Sequence, residues 1–106
     1  MNQYCHLYLS CADDSEAARI ADELIKQKLI ACAKTVKLDA VAYWWKGEIA
    51  HSKESLLIMQ SRVDLFDAVE SVIESLHSYD TFVLEMTTIE KINQKAAEWL
   101  NSNLAK

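Results

Sequence analysis

The stretch Tyr43-Trp44-Trp45-Lys46-Gly47-Glu48-Ile49 decides the fold of this 106-residue chain. Aromatic residues favour strands, and the only glycine of the sequence follows the three aromatic residues after one lysine. A glycine flanked by polar residues adopts the positive φ that a tight reversal needs. The stretch therefore predicts a β-hairpin. Its large aromatic side chains alternate between the two faces of the strand, so both faces need cover.

Length and composition indicate one domain over residues 1–106. The net charge of −5 argues against a nucleic-acid surface, which needs clustered lysine and arginine. No stretch approaches the ~20 apolar residues of a membrane span, and no secretory signal is recognisable. The three cysteines are widely spaced and fit reduced thiols better than a disulfide framework. We therefore expect a cytoplasmic protein with neither nucleic-acid nor membrane partners.

Hydrophobic periodicity predicts five strand segments and three helices. The strand segments are expected at residues 4–11, 31–38, 40–45, 48–61 and 82–86, with the second and third continuous or separate. The first helix is expected to begin at Asp13, which forms a capping-box-like pair with Glu16. The second helix is expected to start at residues 61–64, and the third is lined by apolar residues over 92–104.

This order predicts an α+β, ferredoxin-like fold: two βαβ-like halves with an extra β-hairpin extension and a C-terminal helix. The helices are expected on one face of an antiparallel sheet. The other face would carry Tyr4, His6 and Tyr8, and the apolar run at 56–59 places large side chains on both faces. An open apolar sheet face of this size indicates a subunit interface.

Three segments carry a resemblance to a known family: Ala31-Cys32-Ala33, the hairpin stretch 43–49, and His77-Ser78-Tyr79-Asp80. With the alanine-rich first helix and the closing Trp99-Leu100, they resemble the CutA divalent-cation tolerance family over nearly the whole chain. The resemblance implies a ferredoxin-like homotrimer with the open sheet faces packed inward. It also implies an association with Cu(II) or another divalent cation, and no established enzymatic reaction.

The chain departs from the family pattern after the second helix. The family usually has His-Pro-Tyr-Glu-x-Pro-Glu, whereas here both prolines are replaced, by Ser78 and Phe82, and the second glutamate is Val83. The fold does not depend on these positions, but a metal site of the family type does.

His77, Asp80 and Cys32 are the candidate metal ligands. Imidazole suits copper, zinc and nickel, and a neighbouring carboxylate such as Asp80 can ligate the ion or orient the ring. The dipole of the preceding helix also explains a histidine at its C-terminal end. Cys32 lies in an apolar strand, where cysteine is often only a small buried side chain.

Four aromatic residues are the candidate lining of a cleft between subunits: Tyr43, Trp44, Trp45 and Tyr79. Aromatic side chains are enriched in interface cores, so packing between subunits explains them as well as ligand binding does.

Three functions fit these features. The first is a homotrimeric divalent-cation tolerance protein that binds copper or other divalent metals weakly and takes part in the response to metal ions. The alternative is a trimeric regulatory module that binds a small ligand or a partner protein at the same clefts, with metal binding lost. An acyl-phosphate hydrolase ranks last, because neither Arg19 nor Arg62 lies near a glycine-rich anion cradle. We therefore expect no enzyme and no organic cofactor.

Overall fold

The computed structural model describes residues 3–106 as one sheet with helices packed against it. The elements are β1 (Tyr4–Cys11), α1 (Asp14–Lys26), β2 (Cys32–Trp45), β3 (Glu48–Arg62), α2 (Phe66–Leu76), β4 (Leu84–Thr88) and α3 (Gln94–Asn103). The strands pair in the order β2-β3-β1-β4, and every pair is antiparallel. The chain is thus an α+β protein with a four-stranded antiparallel sheet and three helices.

The segments expected at 31–38 and 40–45 form one continuous strand, the first of the two expected alternatives, with a register shift between Leu38 and Val41. Two other predicted starts differ from the structure. The second helix does not begin at 61–64, because Ser61 still pairs with Cys5 and a 3₁₀ turn at Val63–Leu65 precedes α2. The last strand begins two residues later than expected, since Phe82 stacks on His77 with ring centroids 5.4 Å apart.

The predicted hairpin is confirmed at residues 43–49. Lys46 and Gly47 both have positive φ, 52° and 80°, between the paired residues Trp45 and Glu48. Positive φ at both central residues of a two-residue loop is the signature of a type I′ turn, which matches the twist of the flanking strands. The hairpin extends beyond β1, whose pairing with β3 ends at Ser55.

The core lies between the helices and one face of the sheet. Odd-numbered residues of β1 and of the part of β3 that pairs with β1 are buried, and Leu7, Leu9, Leu57 and Met59 among them are 0% exposed. They pack in one cluster with apolar residues of all three helices: Ile20, Leu24, Val69, Ile73 and Leu100. The opposite face carries His6, Tyr8 and Ile58, which stay only half-buried in the single chain. Among the described residues, no helix is both long and apolar enough to cross a bilayer.

Candidate functional site

His77 is buried where α2 ends. Its side chain is 0% exposed, and the ring lies between Phe82 and Tyr79, with centroids 5.4 and 4.8 Å away. Nε2 lies 2.8 Å from the carbonyl oxygen of Ser10 and donates to it, while Nδ1 accepts from the backbone N–H of Tyr79 at 3.0 Å. These two bonds fit the neutral tautomer with its proton on Nε2. The single lone pair of the ring is therefore on Nδ1.

Glu16 is a buried carboxylate beside that ring. It lies in the first turn of α1, where its own N–H donates to Oδ1 of the N-cap residue Asp13 at 2.8 Å. Its Oε1 accepts from the N–H of Ala12 at 2.9 Å, and its Oε2 accepts from the N–H of Ser78 at 2.8 Å. Burial alone would raise the pKa of Glu16, but these hydrogen bonds outweigh it and lower the pKa below the usual value.

Cys11 closes the same cluster at the end of β1. Its side chain is 0% exposed, and burial, followed by the charge of Glu16, raises the pKa of the thiol to about 12. One ligand atom from each of Cys11, Glu16 and His77 lies within 4.8 Å of the others. A nitrogen, an oxygen and a sulfur donor thus converge from three different elements.

The structure does not bring the three predicted metal ligands together. The carboxylate of Asp80 is not among the ligand atoms that cluster at the His77 ring, and Asp80 is exposed whereas the side chain of His77 is buried. The Sγ of Cys32 donates to Oε1 of Gln60 at 3.1 Å, and Gln60 pairs with His6 on β1. Since His77 bonds to Ser10, four residues further along β1, about 13 Å of strand separates Cys32 from His77.

The predicted cleft residues fall into two groups. The hydroxyl of Tyr79 donates to Oε2 of Glu54 on β3 at 2.9 Å. Burial and this hydrogen bond raise the pKa of Tyr79, and Tyr43 lies close enough to contribute to the shift. Tyr79 therefore lies against β3 at the base of the hairpin, whereas Tyr43 pairs with Ala50 nearer the tip.

The other two cleft residues, Trp44 and Trp45, project from the hairpin tip, 74% and 60% exposed. Trp44 pairs with Ile49, which is itself 61% exposed, and the ammonium of Lys46 lies 5.6 Å from the ring centroid of Trp45. Because neighbouring residues point to opposite faces, the hairpin presents apolar area on both sides.

An open groove of about 570 Å³ separates the start of α1 from the base of the hairpin. Its charged lining consists of Asp13, Asp14, Asp39, Glu54, Lys37 and Lys53. Arginine does not contribute to this lining. Arg62 is buried and bonds to Asp64 and to the carbonyl of Ala105 at 2.7 Å, so its guanidinium serves the fold.

Sequence reasoning missed Cys11 and Glu16 as neighbours of His77. Glu16 is predicted only as a capping partner, and Cys11 is covered only by the strand expected at residues 4–11. Their spacing across the turn from β1 to α1 is a weak signal, and His77 follows 61 residues after Glu16. Only the packing of α1 beside the end of α2 joins them.

Comparisons with known proteins match this chain to CutA proteins over nearly its whole length. The family model described as CutA1 divalent ion tolerance protein matches residues 5–103. A divalent-cation tolerance protein CutA from Thermococcus kodakarensis is 31% identical over 94 residues, which is 89% of each chain. The crystal structure of CutA1 from Oryza sativa superposes with a TM-score of 0.94 at 29% identity, covering 98% of this chain and 95% of that one. The crystal structure of CutA1 from Ehrlichia chaffeensis superposes with a TM-score of 0.92 at 29% identity, covering 100% of this chain and 99% of that one.

Proposed function

Because the chain belongs to the CutA1 divalent ion tolerance family, we propose that it acts as a homotrimeric divalent-cation tolerance protein in the cytoplasm. In this proposal the subunit has the ferredoxin-like layout, binds Cu(II) or another divalent cation weakly, and takes part in the response to metal ions. It catalyses no reaction. The relatives are named as tolerance proteins and not as enzymes, which supports this assignment.

The observation that carries the trimer is the uncovered apolar surface of the single chain. Trp44, Trp45 and Ile49 are each at least 60% exposed, and His6 and Ile58 lie on the sheet face that no helix covers. Exposed apolar area of this kind marks an interaction surface in a stable protein. Packing the open faces of three copies against one another would cover it.

Solution mass tests the trimer. Light scattering at micromolar concentration is expected to give about three times the 12.1 kDa of one chain. Ile58→Glu places a charge in the middle of the open face and should shift the species toward the single chain. Ile25→Glu is the matched control, because Ile25 is 42% exposed on α1, away from that face. A 12.1 kDa species for the unmodified protein would refute the trimer.

The metal part of the proposal rests on the α2–β4 connection, where His77 and Asp80 are the candidate ligands next to the cleft residue Tyr79. Cys32 lies on the open face, where its Sγ donates to Gln60, and in the proposed trimer a neighbouring subunit would supply further ligands to an ion bound there. Copper titrated into the unmodified protein, His77→Ala and Cys32→Ser is the direct test. Equal affinities for the unmodified protein and His77→Ala would remove His77 from the proposal.

A second candidate function is a trimeric regulatory module that binds a small ligand or a partner protein at the clefts. Two observations favour it. Both ring nitrogens of His77 already make hydrogen bonds within the chain, and the groove of about 570 Å³ lies beside the hairpin. Thermal shift across a panel of metals and metabolites separates the two candidates, because a ligand raises the melting temperature only if it binds the folded state.

A further inference from the structure

We propose that Cys11, Glu16 and His77 form an intramolecular binding site for a borderline divalent cation such as Zn(II). The site would lie inside each subunit rather than at a subunit cleft. It refines the metal part of the proposed function and rests on that part, but it names a ligand set that the sequence motifs did not indicate.

The donor atoms suit this class of ion. Sulfur, imidazole nitrogen and carboxylate oxygen are the three donors that zinc takes in proteins. The candidate atoms lie within 4.8 Å of one another, and their side chains are nearly inaccessible: 0% exposed for Cys11 and His77, and 4% for Glu16. A Zn(II) ion bound to a thiolate and a carboxylate is electrically neutral, so the burial of the charged groups is compensated.

The orientation of His77 matches that of a metal ligand. Histidine ligands usually donate their other ring N–H to a backbone carbonyl or a carboxylate, which fixes the ring. Here Nε2 donates to the carbonyl of Ser10 at 2.8 Å. Nδ1 accepts the N–H of Tyr79 in the absence of an ion, and it lies 3.7 Å from Oε1 of Glu16.

The carboxylate of Glu16 has a lone pair to spare. Its two oxygens offer about four acceptor positions, of which the N–H groups of Ala12 and Ser78 use two and the side chain of Ser78 uses a third. These hydrogen bonds hold the carboxylate beside the imidazole and would stay in place when an ion binds. They would then serve as the outer support that metal ligands require.

Binding requires one exchange and one proton release. The ion replaces the N–H of Tyr79 at Nδ1 of His77, and the Sγ–H bond of Cys11 breaks as the Sγ–metal bond forms, with the proton passing to solvent. The net value of one hydrogen bond is about a tenth of the binding free energy of structural zinc sites. The free energy lost with the hydrogen bond to Nδ1 is therefore small compared with the free energy gained by binding the ion.

The test titrates Co(II) and Zn(II) into the purified, chelator-treated full chain. Co(II) is expected to produce a thiolate-to-cobalt charge-transfer band, and Zn(II) to abolish it while releasing about one proton per ion at neutral pH. Cys11→Ser should remove the band and weaken Zn(II) binding at least about tenfold. Loss of a residue that only hydrogen-bonds to a metal ligand already lowers metal affinity about 10–100-fold. Cys5→Ser is the matched control, because Cys5 is also 0% exposed on the same face of β1.

Three outcomes would overturn the site: no thiolate band in the unmodified protein, a band that Cys11→Ser leaves unchanged, or a band lost equally in Cys5→Ser. If Cys11→Ser fails to fold, Cys5→Ser and Cys32→Ser decide the question, because a band that persists in both variants has only Cys11 as its source, and a band lost in Cys32→Ser refutes the site. A trimer that binds copper through His77 without a thiolate band would refute this site and leave the proposed function standing. A thiolate band in a 12.1 kDa monomer would support the site and refute the trimer.

Discussion

Replacement of Glu16 by glutamine tests whether the buried carboxylate joins α1 to the connection after α2. The carboxylate accepts one N–H on each oxygen, from Ala12 and from Ser78. Glutamine keeps one acceptor oxygen and presents an NH₂ group to the other N–H, which then loses its partner. A hydrogen bond to a charged group contributes about 1.5–3 kcal/mol. We expect Glu16→Gln to lower the free energy of unfolding by about 2 kcal/mol.

The pH dependence gives a second, independent signature. The pKa of Glu16 is lowered in the folded state from its ordinary value of 4.5. A lowered pKa means that the stabilisation is fully present above the unfolded-state pKa and is lost as the pH falls through the folded-state pKa. The difference in stability between the unmodified protein and Glu16→Gln should therefore be largest near neutral pH and shrink below 4.5.

The assay is urea unfolding at one protein concentration, with a chelator present so that no metal contributes. A loss of about 2 kcal/mol corresponds to a fall in the urea midpoint on the order of 1 M. Glu74→Gln is the matched control, since Glu74 is exposed on α2, and its midpoint should not move. Equal midpoints for Glu16→Gln and the control at neutral pH would refute the role assigned to this carboxylate.

Three further outcomes follow from the fold. Gly47 has a φ of 80°, and no atom lies within 4 Å of a Cβ added there. Gly47→Ala should therefore lower the free energy of unfolding by about 1–2 kcal/mol from backbone strain alone. An unchanged urea midpoint would contradict the type I′ turn. Leu57→Ala in the core should cost about 2–5 kcal/mol, whereas Leu56→Ala on the open face should weaken assembly instead, as unfolding and light scattering would distinguish. Because burial and Glu54 raise the pKa of Tyr79, ultraviolet titration should show one of the four tyrosines ionising at higher pH than the rest. Tyr79→Phe should remove that late step, and its persistence would contradict the assignment.

Most of the fold was predictable because local chemistry determines it. Alternation over residues 4–11, the Asp13 cap and the glycine after three aromatic residues each act within a few positions of the chain. The motif resemblance also identified the family correctly, since the matching segments are spread over nearly the whole chain. The predicted boundaries failed where tertiary contacts override local preference, as at Phe82, which packs against His77 instead of continuing the strand.

The candidate site was predictable only in part. His77 and Tyr79 belong to a recognisable motif. In the structure His77 hydrogen-bonds to the carbonyl of Ser10, and the hydroxyl of Tyr79 donates to Glu54. The trimer, the bound metal and the role of Asp80 stay predictions, as does any role of Cys32 in binding.

The local sequence pattern thus determined which residues form strands, helices and the turn, because backbone preferences and side-chain periodicity act over a few consecutive residues. Tertiary packing alone decided that Cys11 and Glu16 lie beside His77. His77 follows Cys11 and Glu16 by more than sixty positions, and only burial of the helices against one sheet face brings it within reach of them. Proximity of this kind has no local signal, because it is set by the geometry of the whole core.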